Sequence, residues 1–201
     1  MNKTIYDALP YLEWEAKDPR WTALAHFISR VQDAGIALVS RADRERLIER
    51  HLIPSVEHSD LIPESGRLLD VGSGGGFPGL PIAFARPDLE VTLMDSSSRK
   101  TAFLRRVSRE TSLSNVNVVT SRVEDMAPHM TMNFDIITAR AVALIPEIVD
   151  WTQLLLAEGG KWLLWKGRLW REEGELEGWG VKLVEERELS DGGRLLVIEP
   201  I

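Results

Sequence analysis

The chain has 201 residues, no cysteine, and a formal net charge of −7 from 24 basic and 31 acidic residues. That length allows one well-buried core, and the 44% hydrophobic and 27% charged residues are those of an ordinary globular protein. Disulfides, thiolate metal sites and a cysteine nucleophile are excluded, and the acidic balance argues against a coat for nucleic acid held by bulk charge. No apolar run approaches the ~18–20 residues of a membrane span, and Met1–Asp7 lacks the apolar core of a secretory signal. A cytoplasmic location is expected.

Residues 5–61 read as helical. Trp21, Leu24, Ala25, Ile28, Val31 and Gln32 recur at a three-to-four spacing behind Pro19, which predicts a helix. A second helix is predicted over Ala42–Leu52, ended by Pro54, and Pro63-Glu64-Ser65-Gly66 is a turn into the first strand. Leu68-Leu69-Asp70-Val71 then runs into Gly72-Ser73-Gly74-Gly75-Gly76-Phe77-Pro78-Gly79. An apolar run ending in an acid, a glycine turn and a proline-marked helix start read as strand, nucleoside-binding loop and helix N-terminus.

Glu90–Asp95 is a second strand, and Ser97–Thr111 an amphipathic helix with Phe103, Leu104 and Val107 inward. Asn115–Thr120 and Phe134–Thr138 are the third and fourth strands. Pro146–Ala157 is a helix stopped by Gly159-Gly160, and Lys161–Trp165 the fifth strand. Gly180–Glu188 and Arg194–Glu199, joined by Ser190-Asp191-Gly192-Gly193, form a hairpin. This alternation predicts an α/β fold with a doubly wound, mostly parallel sheet. The terminal antiparallel hairpin marks the Rossmann-like class I methyltransferase variant of that sheet. One compact domain is expected, with an N-terminal helical extension over 1–64 packed on a core over 65–201.

Gly74-x-Gly76-x-x-Gly79 satisfies the dinucleotide fingerprint, so an NAD-linked oxidoreductase is one reading. Two details favour S-adenosylmethionine. Asp70 stands at the strand end, where a charged amine and a cationic sulfonium suit it better than a phosphate would. Phe77-Pro78 also crowds the helix start and withholds a donor that a pyrophosphate needs. Asp95, about twenty residues past the glycines, is placed to accept hydrogen bonds from both ribose hydroxyls. Val123 and Glu124 follow the third strand, where backbone groups would meet the adenine edge. Asp70, Gly72, Gly74, Gly76, Phe77, Asp95, Val123 and Glu124 are therefore the candidate cofactor residues. A non-catalytic S-adenosylmethionine-binding module is a third reading.

The runs LDVGSGGGFPGLPIA, VTLMDSSSRKTAFL, SRVEDM, FDIITARAVA and WKG resemble the glucose-inhibited division protein B family over about Ile36 to Gly167. Arg50-His51-Leu52-Ile53-Pro54-Ser55 is also similar to the family's ERH-DS helix end, from which Pro54 departs. Tyr11–Val39 lacks the family's usual wording, so no role is carried over there. The resemblance implies a bacterial methyltransferase acting on guanine N7 of small-subunit (16S) ribosomal RNA, as naked RNA or the 30S particle, with S-adenosylhomocysteine as product. It also implies cofactor contacts at Gly72, Phe77, Val123, Glu124 and Arg140.

Guanine N7 carries a lone pair and no proton, so transfer to it needs positioning and no general base. The absence of an Asn/Asp-Pro-Pro-Tyr/Phe motif and of cysteine fits that chemistry. Arg140, after the fourth strand, is the expected catalytic residue, orienting guanine through O6 or a phosphate. On this reading Arg140→Ala lowers turnover far more than it affects folding. Three basic clusters flank the loop: Arg41–His51, Arg99–Arg109 and Lys161–Arg171. Within them Arg50, His51, Arg99, Lys100 and Lys166 are the candidates for RNA contact. Trp162, Trp165, Trp170 and Trp179 are expected in packing, and His26, His58 and His129 lack metal-ligand spacing. A monomer without metal or membrane partner is expected.

Overall fold

The computed structural model describes residues 3–126 and 134–201. Seven strands form one sheet: β1 Ser65–Val71, β2 Asp88–Asp95, β3 Val116–Thr120, β4 Phe134–Arg140, β5 Leu156–Lys166, β6 Val181–Glu188 and β7 Arg194–Pro200. Their order is β3-β2-β1-β4-β5-β7-β6. The first five run parallel, and β7 pairs antiparallel with both β5 and β6. The hairpin strands thus close one edge of a doubly wound sheet, the methyltransferase variant. Between β1 and β4 the winding reverses, and at such a point the carboxyl ends of the strands splay apart into a crevice.

The helices are α1 Lys3–Ala8, α2 Pro19–Gln32, α3 Ile53–Val56, α4 Gly79–Ala85, α5 Ser98–Glu110, α6 Val123–Met126 and α7 Ile145–Thr152. Helix α2 starts where Asp18 Oδ1 accepts the Arg20 amide at 2.8 Å, and it buries Trp21, Leu24, Phe27, Ile28 and Val31. Phe27 packs on Phe77 at 5.0 Å between ring centroids and on Phe84 at 6.5 Å, seating α2 against α4. Alternation along β1 sends Leu68 into this helical layer and Leu69 and Val71 into the opposite one, with Phe134, Val149 and Trp162. Both faces of the sheet are covered, as a parallel sheet requires. Among the described residues no helix is long and apolar enough to cross a membrane.

Two expectations are corrected. Residues 42–52 are not one α-helix: a 3₁₀ turn at Arg44–Arg46 leads into a π-helical segment, Ile48–Leu52, which continues into α3. Pro54 lies in the first turn of α3 rather than ending a helix. Having no N–H, it leaves the carbonyl of Arg50, four residues back, without its helical donor. The second correction concerns Gly159 and Gly160, which lie inside β5. There the pairing with β4 shifts register between Phe134 and Ile136, and Gly159 takes a φ of +74°. The helix before them stops earlier, at Thr152, and passes through a 3₁₀ turn, Gln153–Leu155. The glycines accommodate a bulge, where an extra residue needs an unusual backbone angle.

Candidate functional site

A cleft of about 310 Å³ opens at the switch point, lined from the ends of β1, β2, β3 and β4. Gly72, Asp95, Val123 and Glu124 stand in its wall together with Met94, Lys100, Arg122, Ala141, Val142 and Trp151. Gly72 has a φ of +65°, and a Cβ there would meet Val142 at 2.6 Å, so both backbone and space require glycine. Asp95 is the last residue of β2. Its Oδ2 accepts the Gly74 amide at 3.0 Å and its Oδ1 the Ser97 amide at 2.8 Å, with Lys100 Nζ 3.7 Å away. A carboxylate has about four acceptor positions, so this one is fixed in direction with capacity left for a diol. The wall holds two acids, Asp95 and Glu124, against two bases, Lys100 and Arg122. That balance suits a nucleoside with a cationic centre and offers no excess charge to a pyrophosphate.

Asp70, Gly74, Gly76 and Phe77 support the cleft without lining it. Asp70 is fully buried. Thr138 Oγ1 donates to its Oδ1 at 2.8 Å, and Oδ2 has no partner of full hydrogen-bond geometry. Burial pushes its pKa up to about 6, opposed by the hydrogen bond from Thr138 and by weaker help from Ser73 and the Gly79 amide. A Cβ at Gly79 would lie 2.3 Å from Leu93 and 2.7 Å from Asp70 Oδ2. The carboxylate therefore occupies the start of α4, where a dinucleotide phosphate would sit. Gly74 acts through its amide on Asp95, and Gly76 packs its turn against Leu80 and Leu104. Phe77 turns away from the cleft onto Phe27 and, at 5.1 Å between centroids, onto His51.

A second cavity, of about 470 Å³, lies beside the first, and Ala141 borders both. Its wall holds four cations, Arg50, Arg140, Lys166 and Arg168, against Glu173 and Asp191. Arg140, at the end of β4, is largely buried and already engaged. It donates to the carbonyl of Arg50, to that of His51 at 3.4 Å, and to Asp191 Oδ2 at 3.5 Å. The carbonyl left without its helical donor by Pro54 is thus satisfied by a guanidinium 90 residues away. Lys166 Nζ, also buried, bonds Glu173 at 2.7 Å and the Ala143 carbonyl at 2.9 Å. Arg50 Nη1 donates to the Asp191 carbonyl at 3.1 Å, and the exposed Arg168 donates from Nε to Gly192 O at 2.8 Å.

The RNA-contact candidates therefore separate. Arg50 faces the basic cavity, Lys100 faces the cleft, Lys166 is bound to Glu173, and Arg99 is exposed. His51 is mostly buried, and its pKa falls to about 4, by burial first and then by the nearby Arg140 charge. It is neutral and enclosed rather than presented to a phosphate. Trp162, Trp165 and Trp170 are buried, whereas Trp179 is exposed. His129 lies outside the described residues, and among those no group of acidic or histidine side chains could hold a metal. Ala141, Trp151 and the hairpin loop Leu189–Gly193 line the two cavities with no functional signal in the sequence. A non-glycine residue at positive φ, Ala141 at +54°, has no signature in residue type.

The family model for rRNA small subunit methyltransferase G matches residues 21–185. The chain is similar to ribosomal RNA small subunit methyltransferase G of Neisseria gonorrhoeae, 43% identical over 130 residues, 65% of this chain and 61% of that protein. It is also similar to the Chromobacterium violaceum protein of the same name, 44% identical over 148 residues, 74% of this chain and 70% of that one. The chain thus spans about three fifths of the length of the first of these relatives. Among solved structures, Aeropyrum pernix fibrillarin in complex with natively bound S-adenosyl-L-methionine superposes with a TM-score of 0.58 at 16% identity, over 75% of this chain and 74% of that one. That likeness shows the fold alone.

Proposed function

The chain belongs to the rRNA small subunit methyltransferase G family, and from that premise we propose that it transfers a methyl group from S-adenosylmethionine to N7 of a guanine in small-subunit ribosomal RNA. The observation that carries the reading is the charge-balanced cleft at the switch point, with Asp95 held by two loop amides and the start of α4 closed by Asp70. The cofactor supplies an electrophilic methyl group on a cationic sulfur. Everything else asked of the protein is placement. Asp95 would accept the ribose hydroxyls, Gly72 would let the ligand approach the backbone, and Val123 and Glu124 would border the adenine.

Arg140 is proposed as a positioning residue. Both its Nη atoms are engaged, with two carbonyls and Asp191, so it frames the acceptor side more than it reaches for guanine O6. Arg140→Ala is accordingly expected to cost folding stability as well as turnover. We further read residues 1–64 as an extension packed on a 65–201 core, and the protein as a cytoplasmic monomer whose exposed arginines meet RNA phosphates.

The test is transfer of labelled methyl to undermethylated 30S subunits and to naked 16S rRNA, with the product mapped by nuclease digestion. Incorporation at a single guanine is expected, and no incorporation into either substrate overturns the reading. Calorimetry should show binding of S-adenosylhomocysteine and none of NAD.

A further inference from the structure

We infer that the basic cavity beyond Ala141 receives the acceptor nucleotide, with its base against Ala141 and its phosphate on Arg168 and Arg50. This rests on the methyl-transfer reading above and adds to it a place, a set of walls and a discriminating residue.

Contiguity is the first ground. Ala141 borders the cleft on one side and the basic cavity on the other, so a donor and an acceptor in the two spaces meet at one residue. Charge is the second. In a chain of net charge −7, this wall carries four cations against two carboxylates, whereas the cleft carries two against two. An anionic, phosphorylated ligand belongs in the former and not in the latter. Construction is the third. Arg140 and Lys166 are largely enclosed and bonded to carbonyls and carboxylates, so they act as frame. Arg168 is exposed, with its Nε bonded to Gly192 O, and Arg50 is partly exposed. Arg50 also stands 3.5 Å from Asp43 through Nε, and the N–H groups that remain, chiefly those of Arg168, are available to a phosphate, for which the planar guanidinium fork is well shaped.

The reaction balances within this arrangement. The ring-nitrogen lone pair forms the new N–C bond as the C–S bond breaks, and its electron pair goes to sulfur, leaving a neutral thioether. The positive charge passes to the base, and no proton moves.

The probe is guanosine 5′-monophosphate, titrated into the full chain saturated with S-adenosylhomocysteine, for wild type and Arg168→Glu. The reversed charge is expected to weaken nucleotide binding about tenfold or more, to raise KM for 16S rRNA by a similar factor, and to leave S-adenosylhomocysteine binding unchanged. Equal nucleotide binding by the two proteins, no binding by wild type, or competition between the nucleotide and S-adenosylhomocysteine overturns the inference. If wild type transfers no methyl group yet Arg168→Glu still loses the nucleotide, the pocket is supported while the reading it rests on fails.

Discussion

The two cavities that meet at Ala141 are built in opposite ways. The cleft is lined by short segments at successive strand ends, and its governing contacts, Gly74 and Ser97 to Asp95, span 21 and 2 residues. The basic cavity joins the π-helical segment, the end of β4 and the hairpin loop through contacts that span 90 and 141 residues. Damage to the first should therefore stay local and show as lost binding. In the second, damage to one fastening should loosen the frame itself.

The largest effect expected is from Asp95→Ala. Hydrogen bonds to a charged acceptor are worth about 1.5–3 kcal/mol each. Losing two should weaken S-adenosylhomocysteine by roughly 100-fold or more in calorimetry. Nucleotide binding beside it should survive. Arg140→Ala comes next. It takes the cation from beside the part-buried Asp191 carboxylate, strands the Arg50 carbonyl and should lower unfolding free energy by about 2–3 kcal/mol in urea titration. A wild-type urea midpoint would show that this fastening does not hold the frame.

Asp70→Asn separates the two regions by pH. The Asp70 pKa of about 6 lies above its ordinary value of 3.8, so the folded state disfavours the charge, and wild-type stability falls as pH rises between about 4 and 6. The full penalty, about 3 kcal/mol by linkage, is present above that window. His51 runs the other way: its folded value of about 4 lies below 6.5, so stability is intact above 6.5 and is lost as pH falls through 4. The two slopes offset each other in wild type. The variant should be more stable than wild type at pH 8 and lose stability more steeply on acidification, as thermal melts across that range would show. Parallel pH profiles would remove the buried charge from the account. The smallest effect is Ala141→Gly, which relieves a positive φ and should stabilise by about 0.5–1 kcal/mol in a thermal melt.

What the sequence disclosed follows the same division. The strands, the glycine turn and Asp95 are local signals, since hydrophobic periodicity and a carboxylate at a strand end need no distant partner. Asp70 shows the limit of that reading. A carboxylate at a strand end reads as a cofactor contact, yet strand alternation puts this one on the Leu68 face, beneath α4. Lys166 and His51 read as candidates for RNA contact because their partners, Glu173 and Phe77, come from other elements. The cations of the basic cavity are visible in the sequence, but their assembly into one wall has no local signature. Its central contact needs a proline that leaves one carbonyl free and an arginine on another element to take it.

The antiparallel hairpin then has a consequence in time. Residues emerge from the ribosome in order, and the lining of the cleft ends at Trp151, whereas the basic cavity waits for Gly193. A nascent chain therefore carries the described lining of the cleft about forty residues before the last wall of the basic cavity is made. Completion of the loop before β7 is thus the last step in assembling the paired cavities.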